Sequence, residues 1–175
     1  DTDYRGTVTA RSELGGGVIL ELCHELDYVD WLAGPVEETA CVAQKVSDLE
    51  MDSEDVAEIV GRSARGCLIS IHLDCVQLAP VRQCKLIGSM GTIVIDFLNR
   101  EVRSTRAGEQ SRAVWRHTQS RDGRFREQMQ HVLACVRGEE SPRVPLERGI
   151  EVLSLTMAVK MANETGRACP VACPD

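Results

Sequence analysis

Aromatic residues are scarce. Two Trp, two Tyr and two Phe make up 3% of 175 residues, too few for the stacking platforms that hold single-stranded nucleic acid. Positive charge is also short. Asp and Glu outnumber Lys and Arg by 27 to 20, for a net charge of -7, so overall charge favours neither nucleic acid nor an anionic membrane as partner. No apolar run nears the ~20 residues that cross a bilayer, and Asp1-Thr2-Asp3-Tyr4-Arg5 has the pattern of neither a signal nor a transit peptide. The expected location is cytoplasmic. A dinucleotide fingerprint is missing too: Gly88-Ser89-Met90-Gly91 has no third glycine and no strand–loop–helix setting. It reads as a hairpin turn. Position 1 is not Met, and the expectation is a chain cut from something longer or processed.

What is present suits one folded domain. Hydrophobic residues make up 43% and charged residues 27%, ordinary values for a globular protein with a core. The eight cysteines are too scattered for a stapled scaffold. Six sit among apolar residues and are expected as buried free thiols. Cys169 and Cys173, beside Pro170 and Pro174, have a spacing that suits half a zinc site, but no second close pair completes it. No metal ligand is assigned.

Hydrophobic periodicity orders the rest. A helix is expected over Val18 to Ala33, stopped by Gly34 and Pro35. Val36 to Val46 reads as a strand with Val36, Ala40, Val42 and Val46 in one phase. Val56 to Arg62 is a second, and Cys67 to Val76 alternates most cleanly. Arg82 to Ile87, Thr92 to Leu98 and Glu101 to Arg103 follow across short turns, which favours antiparallel pairing. Residues 105–121 read as a loop or weak strand. Two helical stripes close the chain, Phe125, Met129, Val132, Leu133 and Val136, then Leu146, Ile150, Leu153, Met157 and Met161. The expected fold is α+β, an open, mostly antiparallel sheet of five to six strands with helices packed on one face.

The chemistry concentrates in Gly15-Gly16-Gly17 and the helix after it. A glycine run lets the chain turn sharply or approach a ligand closely. Glu21, His24 and Asp27 follow at spacings of three, which share a helix face. Two carboxylates around an imidazole that titrates near neutral pH are suited to acid–base work. Asp27 either holds the tautomer of His24 or is structural. Tyr28 and Arg5 offer hydrogen bonds to a polyhydroxylated ligand, against a plain packing role. Ser70, His72 and Asp74 alternate along one strand and read as a solvated face, with no oxyanion element beside them. Asn163-Glu164-Thr165 fits a glycosylation pattern and is set aside.

Gly15 to Gly34, with His24 followed by Asp27 and the ending Trp31-Leu32-Ala33-Gly34, resembles the start of the C-terminal domain of the Gfo/Idh/MocA oxidoreductases. The resemblance implies an NAD(P)-dependent enzyme acting on a sugar, cyclitol or related polyol. It implies that residues 1–14 lead in from a missing Rossmann domain, that 15–167 form the substrate-binding and oligomerisation domain, and that 168–175 are a tail. NAD or NADP would be bound mainly by the missing half, so no cofactor-binding residue is assigned here. A homo-oligomer through the open sheet face is implied as well. His24 takes the family's proton-transfer position, with Glu21 and Asp27 completing the catalytic set. Tyr28, Arg5, Gly16 and Gly17 are the substrate-side residues. Many family members carry an aspartate four residues before the histidine. That position is Leu20 here; Glu21, three residues before His24, either substitutes with its longer reach or is turned away by the rotation of about 100° that one residue brings on a helix. The chain alone is expected to fold without turnover. The alternative is a non-catalytic sugar-binding or protein-assembly module.

Overall fold

The computed structural model describes residues 3–118 and 120–172. They form two compact units, one from residues up to Val76 together with those from Val144 onward, the other from Gln77 to Arg143. Each carries its own four-stranded antiparallel sheet. The α+β class and the antiparallel pairing agree with the sequence reading. The single sheet of five to six strands does not, since eight strands divide between two sheets. The meander stops between Asp74 and Gln83, where Pro80 has no N–H to give a ladder.

In the first unit three short 3-10 turns, Tyr4–Gly6, Val8–Ala10 and Ser12–Leu14, lead to α1 (Val18–Glu21) and α2 (Cys23–Ala33). Strands β1 (Val36–Gln44), β2 (Val56–Ser63) and β3 (Leu68–Asp74) follow. Further on come helix α4 (Leu146–Thr165) and the two-residue strand β8 (Cys169–Pro170). The sheet order is β3-β2-β1-β8. Its inner face sets Cys41, Ile59 and Ile71 side by side, with Ala57 beside Leu73. Val18, Ile19 and Leu26 from the first helices and Leu155, Val159 and Ala162 from α4 complete the core. Burying a Leu, Ile or Val stabilises by about 1.5–3 kcal/mol, so this face holds the unit together.

Strand β1 turns a phase other than the expected one toward the core. A bulge between Val36 and Glu38 shifts the register, so Val36 is buried and then Thr39 and Cys41 are, while Val42 and Val46 are exposed. One extra residue in a period of two sends every later side chain to the other face.

Helix α4 also differs from its expected orientation. Leu146, Ile150, Leu153, Met157 and Met161 are exposed, and Leu155, Thr156, Ala158, Val159 and Ala162 are buried. At 100° per residue these two sets lie on opposite sides of the helix. The helix is apolar on both sides, so periodicity alone could not choose between them, and the small Ala158 and Ala162 let the backbone approach the sheet. Asn163, part of the glycosylation-like triplet, turns inward and accepts the Ala43 amide at 2.6 Å.

The second unit is the meander β4 (Gln83–Gly88), β5 (Gly91–Asp96), β6 (Glu101–Arg106) and β7 (Arg112–Arg116), followed by α3 (Arg121–Val136). Gly88 pairs with Gly91 across the expected hairpin turn. The weak strand in 105–121 is β7, and Glu101 ties it to β6 by accepting Arg103 Nη1 and Arg116 Nε, both at 2.7 Å. The stripe Phe125, Met129, Val132, Leu133 and Val136 on α3 is exposed rather than packed on a sheet.

The cysteines are free among the described residues, but fewer are buried than expected. Cys41 and Cys169 are buried, whereas Cys67 and Cys75, at the ends of β3, are exposed. Cys173 lies outside the described residues.

Candidate functional site

The glycine run is shaped by its own chain. A Cβ on Gly16 would strike the carbonyl oxygens of Val8, of Thr9 at 2.7 Å and of Arg11 at 2.8 Å. Gly17 has φ +105°, and a Cβ there would meet the Glu54 carboxylate. Glu54 also receives the start of α1. Its carbonyl accepts Val18 N–H at 3.0 Å and its Oε1 accepts Ile19 N–H at 3.3 Å, satisfying donors that a helix start leaves open. The glycines thus let residues 8–17 and the loop at 52–54 close on one another.

The expected single helix is two. At Leu22 the backbone leaves helical geometry, with φ −102° and ψ 22°, ending α1 and starting α2. Glu21 therefore ends one helix while His24 and Asp27 lie on the next. Glu21 is exposed, and its Oε2 accepts the Thr9 hydroxyl at 2.9 Å.

His24 is half-exposed in the first turn of α2, and its Nε2 lies 3.0 Å from Oε1 of Glu25. Glu25 is buried, with 8% of the residue exposed. Sequence reasoning missed Glu25, because an adjacent residue on a helix does not share a face and the spacing signal looks three or four residues away. Here the charged end of the side chain folds back to the ring.

Asp27 and His24 take different partners. Oδ1 of Asp27 accepts Arg148 Nε at 3.0 Å and Nη2 at 2.8 Å, and its carbonyl accepts Nη2 at 2.9 Å. Arg148 also donates to Asp30 at 2.6 Å and Glu151 at 3.1 Å. Burial disfavours the guanidinium charge, but the bonds to Asp30, Asp27 and Glu151 outweigh it and raise the Arg148 pKa. Asp30 turns its other oxygen to the Val36 amide at 2.8 Å, closing the step from α2 to β1. No spacing in the sequence pointed to Arg148, which reaches α2 from 118 to 121 residues away.

Arg5 holds Asp3 at 2.7 Å and Glu50 at 2.9 Å. Both contacts favour the guanidinium charge, Asp3 more strongly, and the Arg5 pKa is raised. The neighbouring Tyr4 hydroxyl accepts the Glu50 amide at 3.0 Å. Tyr28 is half-buried on α2. Around the ring of His24 the structure thus brings Glu25. Glu21, Asp27 and Arg5 are each bonded to other groups.

The glycine-stitched lead-in, the half-exposed imidazole against a buried carboxylate and the antiparallel sheet backed by a long helix belong to a chain whose class a family model gives, a C-terminal α/β domain of an oxidoreductase. The model of that family, described as "Oxidoreductase family, C-terminal alpha/beta domain", matches residues 4–172. The chain belongs to the C-terminal domain family of the Gfo/Idh/MocA oxidoreductases. No curated protein matches it by sequence.

Solved structures share the fold at low identity. The WlbA dehydrogenase from Bordetella pertussis, in complex with NADH and UDP-GlcNAcA, is 20% identical with a TM-score of 0.75, over 98% of this chain and 50% of that one. An oxidoreductase from Agrobacterium radiobacter, with NAD+, L-tartaric acid and magnesium, is 17% identical with a TM-score of 0.77, over 98% and 54%. Levoglucosan dehydrogenase with NADH and levoglucosan is 16% identical with a TM-score of 0.77, over 98% and 54%. The chain spans about half the length of each.

Proposed function

We propose that this chain is the substrate-binding half of an NAD(P)-dependent oxidoreductase acting on a sugar, cyclitol or related polyol, with His24 as its proton-transfer group. The observation that carries the reading is the half-exposed imidazole held 3.0 Å from the buried Glu25 carboxylate. In this reading the half-exposed imidazole takes the hydroxyl proton as the alcohol is oxidised. Glu21 and Asp27, fixed by Thr9 and Arg148, add negative potential on either side. Tyr28 and Arg5 contact substrate hydroxyls, Arg5 by exchanging Glu50 for the ligand. Gly16 and Gly17 set the backbone path at the rim.

Neither glycine segment of this chain offers a cradle for the pyrophosphate of a dinucleotide. Gly88 to Gly91 is a hairpin turn, and the space over Gly17 holds the Glu54 carboxylate, an anion where a pyrophosphate needs donors. NAD or NADP would be bound mainly by an N-terminal dinucleotide-binding half, for which residues 1–14 are the lead-in and 15–167 the partner domain. A second copy joins through the outer face of the first sheet, where Val42, Val60 and Leu68 are exposed. A Val60→Glu chain that sediments unchanged from the parent would remove that interface.

The test of function is His24→Ala in the protein that joins this domain to its dinucleotide-binding half. Turnover of the alcohol is expected to fall about 100-fold or more, with cofactor affinity retained. Turnover within twofold of the parent would remove His24 from the reaction. Intact partner binding with no turnover in the parent would support a sugar-binding or assembly module instead, a reading favoured by the structural bonds that already occupy Glu21 and Asp27.

A further inference from the structure

The outer face of the first sheet carries an ion cluster that the candidate site does not use. Register sets Val42, Glu58 and His72 side by side across β1, β2 and β3. Asp74 follows His72 two residues on, which returns it to the same face. Nδ1 of His72 lies 2.6 Å from Oε1 of Glu58, and Nε2 lies 2.9 Å from Oδ2 of Asp74. An ionised carboxylate only accepts, so each nitrogen needs a hydrogen of its own, and a ring with both is the imidazolium. A neutral ring has one hydrogen to share between two carboxylates. Asp74 is the more enclosed, with 5% of its side chain exposed against 61% for Glu58, and its Oδ1 is fixed by the Val76 amide at 2.9 Å. Asp74 therefore keeps the hydrogen, and loss of the proton leaves Glu58 without a partner. Two carboxylates and one imidazolium sum to -1, and to -2 once the ring is neutral. Because β3 is the edge of its sheet, β2 is its one strand neighbour. The other charged pair across this face is Glu38 with Arg62 at 3.8 Å, which cancels.

We propose that His72 is a pH switch for self-association through this face: two copies join while the ring is charged and part once it is neutral. The inference rests on the sheet-face interface proposed above. Val42, Val60 and Leu68 supply its apolar contact, and Glu58 lies among them, next to Val42 in register. A two-fold interface presents the same patch from both copies, so each brings its own cluster. When both rings lose their proton, the repulsion between the clusters grows about fourfold by Coulomb's law. The released Glu58 is then an unpaired charge to be taken out of water, which costs far more than a paired one. The contact with Glu58 raises the His72 pKa most, burial opposes, and Asp74 adds to the rise. The switch thus acts above the ordinary histidine range, on the alkaline side of neutrality.

Sedimentation at pH 6 and pH 9, at one ionic strength, reads the dissociation constant of the dimer. It is expected to rise about tenfold or more over that range. His72→Gln keeps a hydrogen-bonding side chain without the charge. It should associate at pH 6 as weakly as the parent does at pH 9, with no step between. Glu58→Gln removes the carboxylate that deprotonation releases, and it should stay associated at pH 9. Val60→Glu separates the switch from the interface and should be monomeric at both pH values. A parent that is monomeric at both, or a Val60→Glu dimer as tight as the parent's, removes the interface and the switch with it. A parent dimer equally tight at both pH values, one that tightens toward pH 9, or a step that His72→Gln retains overturns the switch and leaves the interface standing.

Discussion

Arg148 grips Asp27 through two nitrogens, Nε at 3.0 Å and Nη2 at 2.8 Å on the same oxygen. The pair ties α4 to the helix that carries His24, and Asp30 and Glu151 complete the cluster. Because the Asp30 side chain is only 13% exposed, removing the guanidinium leaves a poorly solvated carboxylate. Arg148→Met is expected to destabilise the chain by about 3 kcal/mol, read as a lower urea midpoint. Arg148→Lys should recover only part of this, since an ammonium lacks the planar fork. A loss under ~0.5 kcal/mol would make the cluster an ordinary surface network.

Gly16 faces three carbonyl oxygens where a side chain would begin, and its own amide donates to Arg11 at 2.9 Å. Gly16→Ala must push backbone against backbone, so a loss of about 2–3 kcal/mol is expected. Gly6 has nothing within 4 Å of its would-be Cβ, and Gly6→Ala should be neutral or stabilise by up to ~1 kcal/mol. Equal thermal midpoints for the two variants would show that the segment at 8–16 yields freely.

Local patterns were legible in the sequence and distant ones were not. The alternation of Ile69, Ile71 and Leu73 placed β3 and its inner face, and the glycines at 88 and 91 placed a hairpin. Those signals reside within a few residues. The bulge after Val36 inverted β1 without any mark in its hydrophobic pattern. Helix α4 has two apolar sides, and only the fit of Ala158 and Ala162 against the sheet chose between them. At the candidate site the spacing of Glu21, His24 and Asp27 suggested one stripe, but the break at Leu22 and the reach of Arg148 separated it. Glu25, Glu54 and Arg148 are common residue types whose roles come from tertiary partners, which no periodicity encodes.

Asp55 has no exposed surface and gathers the Val46 amide at 2.8 Å, the Ser47 amide at 3.0 Å and the Ser47 hydroxyl. Burial pushes its carboxyl up, but the Ser47 hydroxyl and the two amides together hold it below the usual carboxylate range. A depressed folded pKa contributes stability that is present above the unfolded value of about 3.9 and lost as pH falls through the folded one. Asp55→Asn should cost about 2 kcal/mol at pH 7, because charge-assisted bonds become neutral ones. The cost should shrink toward acid pH as the parent's own carboxylate protonates. An Asn variant equally stable at pH 7 would leave the loop at 45–55 held by something other than this charge.

His72 stands between two carboxylates on the outer face of the first sheet, with Glu58 Oε1 2.6 Å from Nδ1 and Asp74 Oδ2 2.9 Å from Nε2. The bond to Glu58 raises its pKa most, burial opposes, and Asp74 raises it further, for a net increase. The stability that the charged ring adds is therefore complete below about 6.5 and is lost as pH rises through the higher folded value. With the ring half-exposed, solvent screens the effect, so the sign is the prediction. A histidine proton titration by NMR should place His72 above 6.5. Between pH 6 and pH 9 the parent's urea midpoint should fall by more than that of His72→Gln, in which only the other titrating groups remain. Should the two proteins lose stability in parallel, or the ring titrate at or below its ordinary value, the carboxylate pair holds a neutral imidazole. The outer sheet face would then carry one positive charge fewer toward any partner it meets.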